Sequence, residues 1–443
     1  MKRDIYERLL AWKSSPRRKP LLVRGARQTG KTYILRAFGQ AEYARFHYFN
    51  FEEDTPLARF FDRDLNPKRL LEDLGLYRKQ PIDSAADLVF FDEIQTCNRA
   101  LNALKYFQEQ MPQTHVVAAG SLLGTKLSTP GSFPVGKVNF LELHPLSFME
   151  FLDAMGESPY RQLLDSHDSL APLQTPFHED LTRWLGIYYG VGGMPEAVRE
   201  YAATKNVNNV RIIQNEIIQS YVLDFAKHAP ASDIPKLSLI WDSIPAHLSR
   251  ENKRFVFSAI RPGARAREYE QALSWLQDAG LIYRARAVET SRAPLKHHAH
   301  DAGFKIYALD IGLLGALTKA EIAMTVARQP LFFEYHGAFV ENYVAQELMA
   351  GDQPELYYWR SRSGQAEVDF LCEREGSIIP LEVKAGLNTK SKSLRSYDDQ
   401  FHPALLGRTN LLNLKKDGKI LNIPLYMISQ LPRLASMAQW TES

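Results

Sequence analysis

Apolar positions change period several times along this chain, and each change predicts an element. Ile5, Leu9 and Trp12 recur at helical spacing and predict an amphipathic N-terminal helix. Leu21 to Arg24 is a short apolar run that opens into a glycine-rich loop, and Thr32 to Phe38 then reads as a helix. Arg45 to Phe51 is rich in aromatic residues and reads as a strand. Leu88 to Phe91 and His115 to Ala119 are uninterrupted apolar runs of the kind shown by strands buried on both faces. Between them, Leu101, Leu104 and Phe107 mark one face of a helix. Strands alternating with helices predict a parallel, doubly wound α/β sheet, which we place at residues 1–155.

Residues 156–235 are helical in pattern, broken at Gly190, Gly192, Gly193 and Pro195. Residues 236–330 open with helices. There Tyr269, Ala272, Leu273, Leu276 and Ala279 trace a helix face that Gly280 stops, before a strand from Leu281 to Val288. The last segment, 331–443, reads as a helix, several strands and a hairpin, in an α/β arrangement. No internal repeat or low-complexity run interrupts this order.

The length of 443 residues suits two or three domains, and 45% hydrophobic with 24% charged residues is ordinary for a globular protein. Two distant cysteines, Cys97 and Cys372, argue against a disulfide framework and fit a reducing cytoplasm. The N-terminus lacks the apolar core of a signal peptide, and no run approaches the ~18 apolar residues of a membrane span. We therefore expect a cytoplasmic protein without a membrane partner; an oligomer is compatible with the sequence. The net charge of +3 does not by itself indicate nucleic acid.

The glycine-rich loop carries the first candidate chemistry. Gly25-Ala26-Arg27-Gln28-Thr29-Gly30-Lys31-Thr32 has the spacing G-x-x-x-x-G-K-[ST], directly after a strand and before a helix. Gly25 and Gly30 permit backbone angles that wrap amides around phosphate oxygens, and the helix N-terminus adds favourable partial charge. Lys31 can reach the β- and γ-phosphates of ATP, and Thr32 can ligate Mg2+. The run Leu88-Val89-Phe90-Phe91-Asp92-Glu93 supplies the partner strand. There Asp92 would hold the magnesium and Glu93 would activate the attacking water. Ser121, at the end of the 115–119 strand, can contact the γ-phosphate or that water; it is otherwise a simple turn serine.

A second constellation lies near the C-terminus. Asp369 sits in the alternating run Glu367-Val368-Asp369-Phe370-Leu371, and Pro380-Leu381-Glu382-Val383-Lys384 returns as a second strand. Alternate residues share a face, so Glu382 and Lys384 point the same way and Asp369 can lie opposite. Glu341 falls within an apolar helical stripe, which is costly unless something pairs with it. Three acids against Lys384 alone would leave excess negative charge for a second divalent ion. Upstream, Tyr358, Trp359, Arg360 and Arg362 could contact a nucleic-acid strand end or simply pack.

From Arg250 to Lys296, ten basic residues face five acids. Arg284 and Arg286 alternate on the strand, and Arg265 and Arg267 belong to the second helix of this segment. Helices followed by a basic ribbon predict a winged-helix-like segment that could meet DNA phosphates; the alternative is a solvated charged face. His297, His298 and His300 are close in sequence, but their spacing is weak for a metal site.

Taken together, the chain resembles prokaryotic AAA-superfamily ATP-binding proteins with a C-terminal domain of unknown function. The shared residues are the P-loop GARQTGKT, FFDEIQ at 90–95, GS at 120–121, the stretch FPVGKV from 133 with PLSFMEF after it, and GGMPEAV at 192–198. That resemblance implies an ATPase core followed by a helical lid at 156–235. The C-terminal block resembles the PD-(D/E)XK nuclease fold. By that resemblance Asp369 and Glu382 would be metal ligands, Lys384 the catalytic lysine and Glu341 an accessory acid. The resulting expectation is an ATP-hydrolysing protein that acts on DNA with a metal-dependent nuclease domain. The alternative is an ATP-driven switch whose inactive nuclease-like domain grips DNA or a protein partner.

Overall fold

A computed structural model describes residues 1–121, 123–127, 136–250, 253–320, 337–351, 353, 355–387 and 391–440. Residues 133–135 of the FPVGKV stretch and Glu251 of the basic segment lie outside them. The chain forms two compact units, Met1–His144 with Asp278–Leu281, and Pro145–Gln277 with Ile282–Ser443.

The first unit is built on five strands, β1 (Leu21–Arg24), β2 (Phe46–Asn50), β3 (Leu88–Asp92), β4 (His115–Ala119) and β5 (Asn139–Glu142). Their order is β2-β3-β4-β1-β5, and every pair is parallel. The alternation along each strand explains why the sheet is wound on both faces. Leu22, Val89, Phe91, Val116 and Ala118 face a core with Leu70, Leu74, Leu101, Leu104 and Phe107 from two helices. The intervening residues Leu21, Val23, Leu88, Phe90, Val117 and Ala119 face Ile34, Leu35 and Phe38, together with Ile5, Leu9 and Trp12 of the N-terminal helix. Strands covered on both sides need apolar residues at every position, which is why these runs do not alternate in polarity.

The second unit contains the remaining strands, β6 (Ile282–Val288), β7 (Ala299–Ala308), β8 (Leu356–Arg360), β9 (Glu367–Arg374), β10 (Ser377–Val383), β11 (Leu406–Asn410), β12 (Lys415–Asp417) and β13 (Ile420–Pro424). They form one mixed sheet in the order β12-β13-β11-β10-β9-β8-β6-β7. This arrangement corrects the picture of a free basic wing. β6 pairs antiparallel with β7 and parallel with β8, so it is an interior strand of the C-terminal sheet. Ile282, Tyr283, Ala285 and Val288 are buried. Arg284 lies 3.9 Å from the Phe304 ring centroid and reaches Glu270 at 2.6 Å, its side chain only 6% exposed. The expected phosphate contact at Arg284 is therefore used inside the fold.

The helix Gly337–Ala350 is buried on all sides, and three of its polar residues, Asn342, Gln346 and Glu347, serve backbone groups elsewhere. Asn342 accepts from the Ala308 N–H at 2.7 Å and donates to the Ala308 carbonyl at 3.0 Å, as a neighbouring strand would. Gln346 accepts from the Ile311 N–H and Glu347 from the Phe148 N–H, each at 2.9 Å.

The Gly192-Gly193-Met194-Pro195 break is a docked turn. Asp310 accepts from the Gly193 N–H at 2.6 Å and from the Leu313 N–H at 2.9 Å, capping the helix Ile311–Leu317. Gly192 has φ +73°, and a Cβ there would stand 2.4 Å from the Asp310 carboxylate. Burial pushes the Asp310 carboxyl up to about 6, against the pull of the N–H donors of Gly193, Leu313 and Gly312 and the Gln346 amide. The folded state thus keeps a proton that the unfolded chain has released. The associated stability is full below about pH 4 and is lost as pH rises through about 6. Relative to Asp310→Asn, the wild-type melting temperature should fall across that window and level off above it. Parallel melting curves that keep a constant separation from pH 4 to 7 would refute this assignment.

Candidate functional site

The turn after β1 has the shape its glycines predict. Gly25 has φ +148°, and a Cβ on it would stand 2.2 Å from the Leu143 carbonyl oxygen. Gly30, with φ +94°, is the N-cap of the helix Lys31–Glu42. Both positions favour glycine, the first because backbone passes too close and the second because its angles are left-handed. Thr29 donates from its hydroxyl to the Ala26 carbonyl at 2.9 Å, which closes the loop on itself.

Lys31 is buried and folds back onto that loop. Its ammonium donates to the carbonyls of Gly25 at 2.9 Å and Ala26 at 2.7 Å. Burial lowers its pKa to about 8, with Glu93 and Asp92 opposing the shift. Two neutral carbonyls are weak partners for an ammonium compared with a polyphosphate, so an arriving nucleotide can draw Lys31 off them.

Asp92 ends β3 and is buried. Its Oδ2 accepts from the Thr32 hydroxyl at 2.8 Å and from the Tyr48 hydroxyl at 3.0 Å, and its Oδ1 accepts from the Glu93 N–H at 3.1 Å. Burial raises the Asp92 pKa, with the Thr32 and Tyr48 hydrogen bonds pulling it back. A hydroxyl and a carboxylate oxygen in contact beside the P-loop are the hard donors that a magnesium ion with bound phosphates takes, so these residues fit Mg2+.

Glu93 occupies a left-handed backbone conformation at φ 49°, a sparsely populated region for a non-glycine residue. Its Oε2 accepts from the Gln95 amide, and from the Ser121 hydroxyl at 3.4 Å. Because β4 stands between β3 and β1 in the sheet, Ser121 follows the strand that separates Glu93 from the P-loop strand. All the nucleotide-site residues expected from the sequence are thereby brought to one end of one sheet.

Three contributors escaped the sequence reading. Arg3 donates to the Thr29 carbonyl at 3.0 Å and to the His144 carbonyl at 2.6 Å, tying the P-loop to the residues after β5. Tyr48 reaches Asp92 from β2, where the aromatic run was legible but its partner was not. Gln95 lies against Gly120, where a Cβ would stand 1.9 Å from its amide oxygen. Gln95 ends the FFDEIQ run at 90–95, a run that does not itself reveal the contact with Glu93.

In the second unit the structure brings Glu341, Asp369, Glu382 and Lys384 together, but in different company from that expected. Asp369 Oδ2 accepts the Val383 N–H at 2.8 Å, and Lys384 Nζ lies 2.6 Å from Glu382 Oε1. Lys305 of β7 approaches Glu367 at 2.7 Å and Glu341 and Asp369 at 3.7 Å each, while Lys253 also pairs with Glu341. The expectation of three acids balanced by Lys384 alone is therefore corrected. Burial would raise the Glu341 pKa, but Lys253 and Lys305 overcome it and hold it at about 2. Burial, followed by the charge of Glu341, raises Asp369 well above the usual carboxylate range. Among the described residues no group of three or more His, Cys, Asp or Glu side chains is arranged to hold a metal ion, the histidines at 297–300 included. The acids do not fit the second divalent ion expected of them. Tyr358 and Trp359 are fully buried and cannot stack on a strand end, and Arg362 pairs with Glu289 at 3.4 Å.

Residues 17–152 match the family described as AAA domain. Residues 182–322 match a domain of unknown function (DUF8612), and residues 336–426 match another (DUF4143). Among curated proteins no relative matches. Similar solved structures include the Walker-type ATPase paby2304 of Pyrococcus abyssi, with 16% identity and a TM-score of 0.46 over 72% of this chain and 95% of that one. The ORC1 protein of Aeropyrum pernix in complex with DNA follows, with 14% identity and a TM-score of 0.29 over 73% and 92%. AMPPCP-bound DnaA from Aquifex aeolicus has 13% identity and a TM-score of 0.28 over 62% and 84%. By the family match, residues 17–152 carry an AAA-type P-loop ATPase domain. No helix among the described residues is long and apolar enough to cross a membrane.

Lys31→Ala should weaken ATP binding by at least about tenfold, the value of one charge-assisted contact to phosphate. An unchanged dissociation constant in a fluorescence titration with labelled ATP would remove Lys31 from the site.

Proposed function

We propose that this chain hydrolyses ATP with magnesium and uses the cycle to control its hold on DNA. The observation that carries the first part is the contact between the Thr32 hydroxyl and the Asp92 carboxylate, with Glu93 next in the chain. In this reading the P-loop amides and Lys31 bind the polyphosphate. Thr32 and Asp92 hold the ion, whose chemistry is to screen phosphate charge. Glu93 orients the attacking water and accepts its proton. Gln95 and Ser121 hold the Glu93 carboxylate between turnovers.

Support for DNA comes from the stretch leading into the helix Ala266–Asp278. Arg265 and Arg267 there are exposed, unlike Arg284. Of the two readings of the C-terminal segment, metal-dependent cleavage and a non-cleaving grip, the ion pairs around Lys305 favour the grip. A protein partner remains the alternative occupant of that grip.

Glu93→Gln should bind ATP as tightly as wild type and hydrolyse it about 100-fold more slowly or worse, because the amide keeps the shape and loses the base. Phosphate release at the wild-type rate would move the catalytic role elsewhere. Replacing Arg265 and Arg267 together by Gln should weaken duplex binding and reduce the slope of log affinity against log salt by about 1.8, at about 0.9 per lost phosphate contact. An unaltered slope would take these arginines out of the DNA interface.

A further inference from the structure

Lys305 stands within β7, opposite Ala285 of β6. Its side chain is 1% exposed, so water does not solvate its ammonium. Burying an unpaired ammonium is costly, and a lysine so deeply buried keeps its charge where negative groups stand against it. Glu341 and Glu367 carry that charge, and Asp369 is a third acid beside them. Glu367 lies at 2.7 Å, Glu341 and Asp369 at 3.7 Å, and the face of Tyr358 lies 5.0 Å away. Glu341 is also engaged by Lys253 and by the Tyr307 hydroxyl at 3.3 Å, and Glu382 by Lys384. Four acids, Glu341, Glu367, Asp369 and Glu382, thus meet three ammonium groups, Lys253, Lys305 and Lys384, contributed by the stretch at Lys253, by β7, β9 and β10, and by the helix Gly337–Ala350.

We propose that Lys305 is the resident cation of this cluster, a tethered ammonium that fills the place between Glu341, Glu367 and Asp369 and keeps divalent ions out. The inference rests on the non-cleaving reading of the C-terminal segment and names what enforces it. A magnesium ion needs its oxygens at about 2.0–2.1 Å in near-octahedral array. Entry would bring a doubly charged ion within a few ångströms of an ammonium that has nowhere to go. The Lys305 stem starts from a strand paired with β6 and the side chain is 1% exposed, so the ammonium has no direct way out to solvent. As part of the same chain it also competes at a high effective concentration that no free ion matches.

The test is manganese binding to the full chain without nucleotide, counted from the free-ion signal in electron paramagnetic resonance. Melting curves with and without manganese accompany it. Wild type and Asp369→Asn should bind the same number of ions, because the cluster takes none. Lys305→Met, which keeps the length of the side chain and removes its charge, should gain one ion and a manganese-dependent rise in melting temperature. Lys305→Met/Asp369→Asn should lose both gains. An ion held by wild type and lost in Asp369→Asn would overturn the proposal, and this comparison stands even if Lys305→Met does not fold. A folded Lys305→Met that gains no ion would overturn it as well, since something other than Lys305 would then exclude metal. Cleavage of DNA by wild type with manganese, lost in Asp369→Asn, would sink the non-cleaving reading itself. Ion binding by wild type without cleavage would sink only the role given to Lys305.

Discussion

An ionised carboxylate at the buried end of a strand has to find donors, and in the first unit that requirement falls on Asp92. Its oxygens draw the Thr32 hydroxyl from the helix after the P-loop, the Tyr48 hydroxyl from β2 and the N–H of Glu93. One side chain therefore ties the glycine-rich loop to the strand that carries Glu93, across the intervening β4. The same oxygens are hard donors of the kind a magnesium ion takes. Holding Glu93 in a left-handed backbone costs on the order of 1–2 kcal/mol, offset by a side chain aimed at Gln95 and Ser121.

The second unit meets the same demand with opposite sign. From Lys305 to Leu313, β7 and its continuation present an ammonium, a backbone edge, a carboxylate and a helix start. Each has a partner far away in sequence: the acids around Lys305, Asn342 at Ala308, Gly193 at Asp310 and Gln346 at Ile311. Removing one partner costs about 3–5 kcal/mol for a buried ion pair and about 1–3 kcal/mol for a buried hydrogen bond. That is why the polar face of the helix Gly337–Ala350 can be wholly internal, and why a turn with two glycines in succession is pinned.

Much of the nucleotide site was legible because its chemistry is local. Eight consecutive residues define the P-loop, and Asp92 and Glu93 follow directly on an apolar strand. The parallel sheet was legible for a related reason, since strands covered on both faces show as unbroken apolar runs. The C-terminal acids were legible as a group, because two lie on alternating strands and the third is an acid in an apolar stripe. The basic ribbon misled because alternation of Arg284 and Arg286 reports only that two residues share a face. Whether that face meets solvent or Phe304 and Glu270 depends on strands that arrive later in the chain.

The sequence by itself determined the phosphate-binding loop, its acidic partner strand, the doubly wound sheet and the list of C-terminal acids. Periodicity and spacing act over a few residues and leave their mark in order along the chain. Only the tertiary structure decided who neutralises whom. Lys253 meets Glu341 from 88 residues away, and Arg3 reaches the His144 carbonyl across 141. No short-range pattern encodes such pairs, because electrostatic pairing in a buried site depends on distance in space alone. The same four residues, Glu341, Asp369, Glu382 and Lys384, read as an open metal site in one dimension and as part of a lysine-filled network in three.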